Sequence, residues 1–126
     1  MRKLFTLLAF VATISTWAAR FEVDGIYYNI IDYANSYVEV TYKGDVDSSF
    51  DEYAGDVVIP ETVTYANKTF TVTRIGYLAF CGCKNLNSVT IPNSVTCIVR
   101  QAFICSSITS VKLGGGVKEI GNQAFS

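Results

Sequence analysis

Ile75-Gly76-Tyr77-Leu78-Ala79-Phe80 is matched by Ile98-Val99-Arg100-Gln101-Ala102-Phe103 and again by Ile120-Gly121-Asn122-Gln123-Ala124-Phe125. The isoleucines step by 23 and then 22 positions, and the Ala-Phe pairs step with them. Between these blocks, Leu86-Asn87-Ser88-Val89-Thr90-Ile91-Pro92-Asn93-Ser94-Val95 aligns apolar for apolar with Ile108-Thr109-Ser110-Val111-Lys112-Leu113-Gly114-Gly115-Gly116-Val117, now stepping by 22. One residue is therefore missing from the second copy between Phe103 and Ile108. Counted back from Leu86 and Ile108, Cys83 coincides with Cys105. A fixed period of this size is the signature of a repeat architecture, in which one unit cannot bury its own faces and neighbours must stack.

Each copy predicts one short strand, Val-x-Ile/Leu, with two side chains inward and one outward. A turn follows at Pro92 or at Gly114-Gly115-Gly116, a second turn brings in Ile98 or Ile120, and a short helical bend carries Ala-Phe. The small alanine allows close packing, and the phenylalanine fills the space between coils. Burying such a ring contributes roughly 1.5–3 kcal/mol. A partial earlier copy, Val57-Val58-Ile59-Pro60-Glu61-Thr62-Val63, precedes an insert, Thr64 to Arg74, that reads as a hairpin turning at Ala66-Asn67-Lys68-Thr69.

Residues 20–56 do not repeat. Ile26-Tyr27-Tyr28-Asn29-Ile30-Ile31 and Tyr37-Val38-Glu39-Val40-Thr41-Tyr42 are rich in β-branched and aromatic residues, with a turn at Ala34-Asn35-Ser36 between them. They predict a β-meander covering the first coil, because an open end would expose apolar surface and strand edges. The expected fold class is thus a β-rich solenoid, a short leucine-rich-repeat stack with an N-terminal β-meander cap over 20–56 and repeats over 57–126: a partial first copy with a hairpin insert, two full copies and a truncated last copy. The chain stops at Phe125-Ser126 in the middle of a unit, which suggests a segment of a longer repeat protein.

The first 19 residues stand apart. Met1-Arg2-Lys3 is a basic start, Leu4 to Ile14 is almost wholly apolar, and Ser15-Thr16-Trp17-Ala18-Ala19 offers small residues to a peptidase. This is the pattern of a secretory signal peptide cut after Ala18 or Ala19, and it is too short to span a bilayer stably. The predicted location is exported, at the cell surface or extracellular, with no membrane span in the mature chain.

Composition and chemistry exclude several functions. Charged residues are 17% of the chain, the formal net charge is −1, and no basic patch exists, so nucleic acid is not an expected partner. There is no histidine, which removes Ser-His-Asp and Cys-His arrangements and histidine zinc sites. No carboxylate pair falls in strand register, and Gly114-Gly115-Gly116 follows a strand as a turn rather than opening a helix as a phosphate loop. Asp45-x-Asp47-x-Ser49 with Asp56 at the twelfth place resembles a calcium loop, but Phe50 stands where glycine is required, so an acidic solvated loop is the reading. Cys81-Gly82-Cys83 is one residue short of a Cys-x-x-Cys pair. Cys83 and Cys105 read as small buried hydrophobes stacked in a ladder, with a disulfide between adjacent coils as the alternative. No enzyme activity, metal or cofactor is predicted.

The pattern Ile-Gly-x-x-Ala-Phe-x-x-Cys-x-x-Leu-x-x-Val-x-Ile-Pro-x-x-Val, read over residues 75–95, resembles the BspA-type leucine-rich repeats of bacterial surface proteins. So do the lead-in Phe21-Glu22-Val23-Asp24-Gly25-Ile26-Tyr27-Tyr28-Asn29-Ile30 and the stretch Gly55 to Val63. Val99 in place of glycine and Gly114-Gly115 in place of Pro-Asn are local departures. The resemblance implies a protein-binding or adhesion module whose partner is a protein, such as a host matrix or another cell-surface protein. The alternative is a structural spacer or cap within a larger exported protein. The candidate binding face is the outward strand surface: Thr90 and Lys112, flanked by Ser88 and Ser110, with Val58 as the counterpart in the first copy.

Overall fold

The structure, a computed structural model, describes residues 20–43 and 53–125. The segment read as a signal peptide and the loop holding Asp45, Asp47 and Ser49 lie outside the described residues.

The non-repeated part begins as a hairpin, β1 (Arg20–Val23) against β2 (Ile26–Asp32). Its two-residue turn, Asp24-Gly25, has both residues at positive φ, 52° and 85°, the backbone hand that matches strand twist. Strand β3 (Tyr37–Thr41) pairs antiparallel with β2. The intervening turn is held by Asp32, whose carboxylate accepts from the backbone N–H and the side-chain amide of Asn35 at 3.0 and 2.8 Å.

The repeats build two sheets. In one, β4 (Gly55–Val58), β7 (Leu86–Thr90) and β9 (Ser110–Lys112) lie parallel, pairing Val57 with Val89 and Val89 with Val111. In the other, β6 (Lys68–Ile75), β8 (Cys97–Ile98) and β10 (Glu119–Ile120) are parallel, with Ile75, Ile98 and Ile120 in one row. The insert is a hairpin, β5 (Thr62–Tyr65) antiparallel to β6, and its turn is the pair Ala66-Asn67, at φ 52° and 65°.

The meander is joined to the repeats edge to edge. β3 runs parallel to β6, pairing Val38 with Val72 and Val40 with Ile75, so one continuous sheet has the order β1-β2-β3-β6-β8-β10. Across this junction the Arg74 guanidinium lies 2.9 Å from Glu39, which also accepts from Asn29. Phe21, Tyr28, Val38, Phe70 and Val72 fill the core on the meander side; Ile75, Phe80, Leu86, Val89, Ile91, Ile98 and Phe103 fill it under the repeats.

The rings that the spacing places in one row are in one row. Phe80 and Phe103 stack at 4.8 Å between centroids and 4° between planes, and Phe103 and Phe125 at 5.0 Å and 10°. The turns carrying them are hydrogen-bonded from coil to coil, Phe80 N–H to the Ala102 carbonyl and Phe103 N–H to the Ala124 carbonyl, both at 2.7 Å. The expected helical bend is instead a β-turn. Leu78, Gln101 and Gln123, equivalent in the three copies, have φ of 59°, 59° and 58°, and the following alanine donates to the carbonyl three residues back. A left-handed residue terminates helical geometry, so Ala-Phe is aimed inward by a turn rather than by a helix.

Two irregularities have clear causes. Gly114-Gly115-Gly116 lies so close over Pro92-Asn93 that a Cβ on Gly116 would overlap the Asn93 carbonyl oxygen, and Asn93 Oδ1 accepts the Gly115 N–H at 2.7 Å. The cysteines also align differently from the count made on sequence. Cys105 is exposed and shares its left-handed backbone (φ 60°) with Gly82 (φ 65°), whereas Cys83 is buried. The counterpart of Cys83 is Ser106, since each donates its N–H to the carbonyl of the phenylalanine three residues earlier. The missing residue therefore falls after Ser106, and the ladder of two buried thiols expected from Cys83 and Cys105 does not form.

Candidate functional site

The outward face of the three-stranded sheet is set by strand alternation. Val57, Val89 and Val111 form the inward row, so the residues on either side of them point out. The register gives two outward rows, Asp56-Ser88-Ser110 and Val58-Thr90-Lys112. All four residues singled out from sequence, Ser88, Thr90, Ser110 and Lys112, are thus brought together on one ribbon. At the usual spacing of about 4.8 Å between strands, three strands make a face about 10 Å across. Val58 is 67% exposed at its first edge.

Asp56 is the organising residue that sequence reading assigned elsewhere. Its Oδ1 accepts from Asn87 Nδ2 at 2.6 Å and from the Ser88 hydroxyl at 2.7 Å. These bonds, Ser88 first, hold its carboxyl below the usual carboxylate range. The network continues to the next coil through Thr109, whose hydroxyl lies 3.0 Å from the Asn87 carbonyl and 3.2 Å from Asn87 Oδ1. The signal for Asp56 was present in the sequence: it precedes Val57 as Ser88 precedes Val89. The ribbon therefore offers hydroxyls, an amide, one carboxylate at the first strand and one ammonium at the last, an arrangement suited to hydrogen-bonded recognition of a polar partner.

Beside Val58 the surface falls into a cleft of about 440 Å³, whose walls include Ile26, Tyr28, Pro60 and Val63. Tyr28 itself is buried, its hydroxyl has no hydrogen-bond partner among the described residues, and burial pushes its pKa up. A second exposed group, Ile31, Tyr33 and Tyr37, sits at the β2–β3 turn, with Lys68 Nζ 4.6 Å from the Tyr33 ring centroid. It carried no sequence signal, because each residue alone reads as part of a strand or a turn. Among the described residues no helix is long and apolar enough to cross a membrane.

A family model described as "BspA type Leucine rich repeat region" matches residues 56–126. The chain belongs to this family. Solved structures with the same architecture include a leucine-rich repeat protein from Bacteroides capillosus, 28% identical with a TM-score of 0.68, the match covering 85% of this chain and 74% of that one. A leucine-rich cell surface protein from Faecalibacterium prausnitzii is 29% identical with a TM-score of 0.64, over 84% of this chain and 27% of that one. The pneumococcal vaccine antigen PcpA, 22% identical, shares the fold with a TM-score of 0.65, over 85% of this chain and 30% of that one. This BspA-type chain thus spans most of the length of the first relative and less than a third of the other two. No curated protein matches it.

Proposed function

We propose that this BspA-type chain is an exported, cell-surface protein-binding module of the adhesion kind, without a catalytic centre. We further propose that the stacked coils form a short solenoid capped by residues 20–56, with repeats over 57–126. The contact face is the ribbon of Ser88, Thr90, Ser110 and Lys112, bordered by Asp56 and Val58. The observation that carries this reading is the register that aligns the outward residues of three successive copies in two rows, one polar throughout (Asp56-Ser88-Ser110) and one polar after Val58 (Thr90-Lys112). Repeat proteins use such faces to read partners. Export is supported by the basic, apolar and small-residue run of Met1 to Ala19. The surface setting is supported by a relative described as a cell surface protein.

The test is binding of the full chain to immobilised host matrix proteins, against a variant carrying Thr90→Glu and Lys112→Glu. Binding by the wild type that falls at least about tenfold in the variant is expected, since tenfold corresponds to about 1.4 kcal/mol and central contacts commonly exceed 1 kcal/mol. Equal binding by both moves the contact face elsewhere. No binding above a scrambled-surface control counts against adhesion. It favours the second reading, a spacer or cap within a larger exported protein, which the 27% coverage of the F. prausnitzii relative supports.

A further inference from the structure

The cysteine realignment makes Cys81, rather than Cys83, the thiol next to Cys105. Gly82 N–H donates to the Ile104 carbonyl at 2.9 Å, so the peptide unit Cys81–Gly82 of one coil abuts the unit Ile104–Cys105 of the next. Residues 82 and 105 share the same left-handed backbone, so the two turns run in step. Cys81 and Cys105 are then diagonal neighbours. With about 4.8 Å between coils and 3.8 Å along the chain, their Cα atoms are about 6 Å apart, inside the usual disulfide range. Cys105 is exposed and Cys81 half-buried, so both are reached from solvent, whereas Cys83 is buried with its Sγ turned to the Cys81 carbonyl oxygen at 3.8 Å. Burial raises the Cys81 thiol pKa, and the adjacent Cys105 thiol raises it further, ahead of Cys83.

We propose that Cys81 and Cys105 are a covalent staple site, forming an intramolecular disulfide between adjacent coils when the protein meets a disulfide oxidant. The Cys105 thiolate, the more accessible, attacks one sulfur of the oxidant and releases one thiol, leaving a mixed disulfide. The Cys81 thiolate then attacks the Cys105 sulfur and releases the second thiol. The protein loses two protons and two electrons, and the oxidant is reduced to two thiols. The bond ties the corner where the second coil is one residue short and where Ser106 Oγ is buried without a partner among the described residues. Export, as proposed above, determines where the bond forms in the cell; the geometry determines whether it can form.

The experiment incubates the folded full chain with oxidised glutathione, then counts thiols and maps linked peptides. The expected result is loss of two thiols and a Cys81–Cys105 linked peptide pair, absent from Cys81→Ser and Cys105→Ser and retained in Cys97→Ser. The bond closes a loop of about 25 residues and is expected to raise the thermal midpoint by roughly 10–20 °C. A linkage through Cys83 or Cys97, or a linkage formed only after the chain is unfolded, overturns the proposal. Cell fractionation separates it from the export reading: retention in the cytosol would end that reading and leave the in vitro bond standing, while an exported chain whose folded form never cross-links would end the staple alone.

Discussion

The two ends of the phenylalanine row differ, although the repeat residues along it are the same. At the first end Tyr53 closes on Phe80 with centroids 4.8 Å apart, and its hydroxyl donates to the Thr41 carbonyl at 2.7 Å and accepts from the Tyr27 N–H at 2.9 Å. At the last end Phe125 is 44% exposed, while Phe103, one coil earlier, is 1% exposed. Ile98 and Ile120 differ in the same way, 0% against 51%. What buries a repeat residue is the coil on either side of it, not its own unit. At the first end the missing coil is replaced by non-repeated chain, with one tyrosine in the place of a repeat phenylalanine.

The largest effect that tests this contrast comes from identical truncations at the two places. Phe103→Ala opens a cavity between two stacked rings and is expected to cost about 3–5 kcal/mol. Phe125→Ala removes a ring stacked on one side only and is expected to cost about 1 kcal/mol or less. Urea unfolding of the two variants measures both. Equal costs would mean that the last coil is buried by something in solution, and the contrast between the ends would fail.

A smaller effect sharpens the first end. Tyr53→Phe keeps the ring against Phe80 but leaves the Thr41 carbonyl and the Tyr27 N–H without their shared partner. Thr41 is buried, so the expected cost is about 1–3 kcal/mol. Hydrogen exchange at the Tyr27 amide should speed up in the same variant. A cost near zero with unchanged exchange would show that the β3–β6 pairing alone holds the meander to the repeats.

These two ends also mark what the sequence could and could not reveal. The phenylalanine row, the isoleucine row and the outward ribbon were legible because each is a local pattern repeated at a constant step, and constant steps become parallel columns. The β3–β6 pairing was not legible: β3 has no copy elsewhere in the chain, and the Glu39–Arg74 contact joins residues 35 positions apart. Tyr53 was missed for the same reason, as a single aromatic in a stretch without motif. The inward turn was misread because leucine and glutamine, at Leu78, Gln101 and Gln123, rarely adopt the left-handed backbone and so give no warning of it. Cys105 was misplaced because counting back from Ile108 crosses the deletion, and only the backbone conformation shows on which side of Cys105 the residue is lost.

The smallest effect compares two surface carboxylates, one in the meander and one on the ribbon. Asp32 is held below the usual carboxylate range first by the Asn35 side chain, so it ties a turn to itself. Asp56 is held down by Ser88 and Asn87, more than 30 positions away, so it ties one coil to the next. In both, the pKa in the folded chain is depressed. The stabilisation is therefore complete above the ordinary carboxyl value of about 3.9 and is lost as the pH falls from there through the folded value. Asp56→Asn should accordingly lower stability slightly at neutral pH and match the wild type at the acid end of that window. Carboxyl-carbon NMR should place the wild-type Asp56 midpoint below the ordinary value, and Ser88→Ala should return it part of the way. A midpoint that Ser88→Ala leaves unchanged would mean that the bond between β4 and β7 does not hold the charge, and the ribbon's first row would lose the anchor that fixes Ser88 in its outward place.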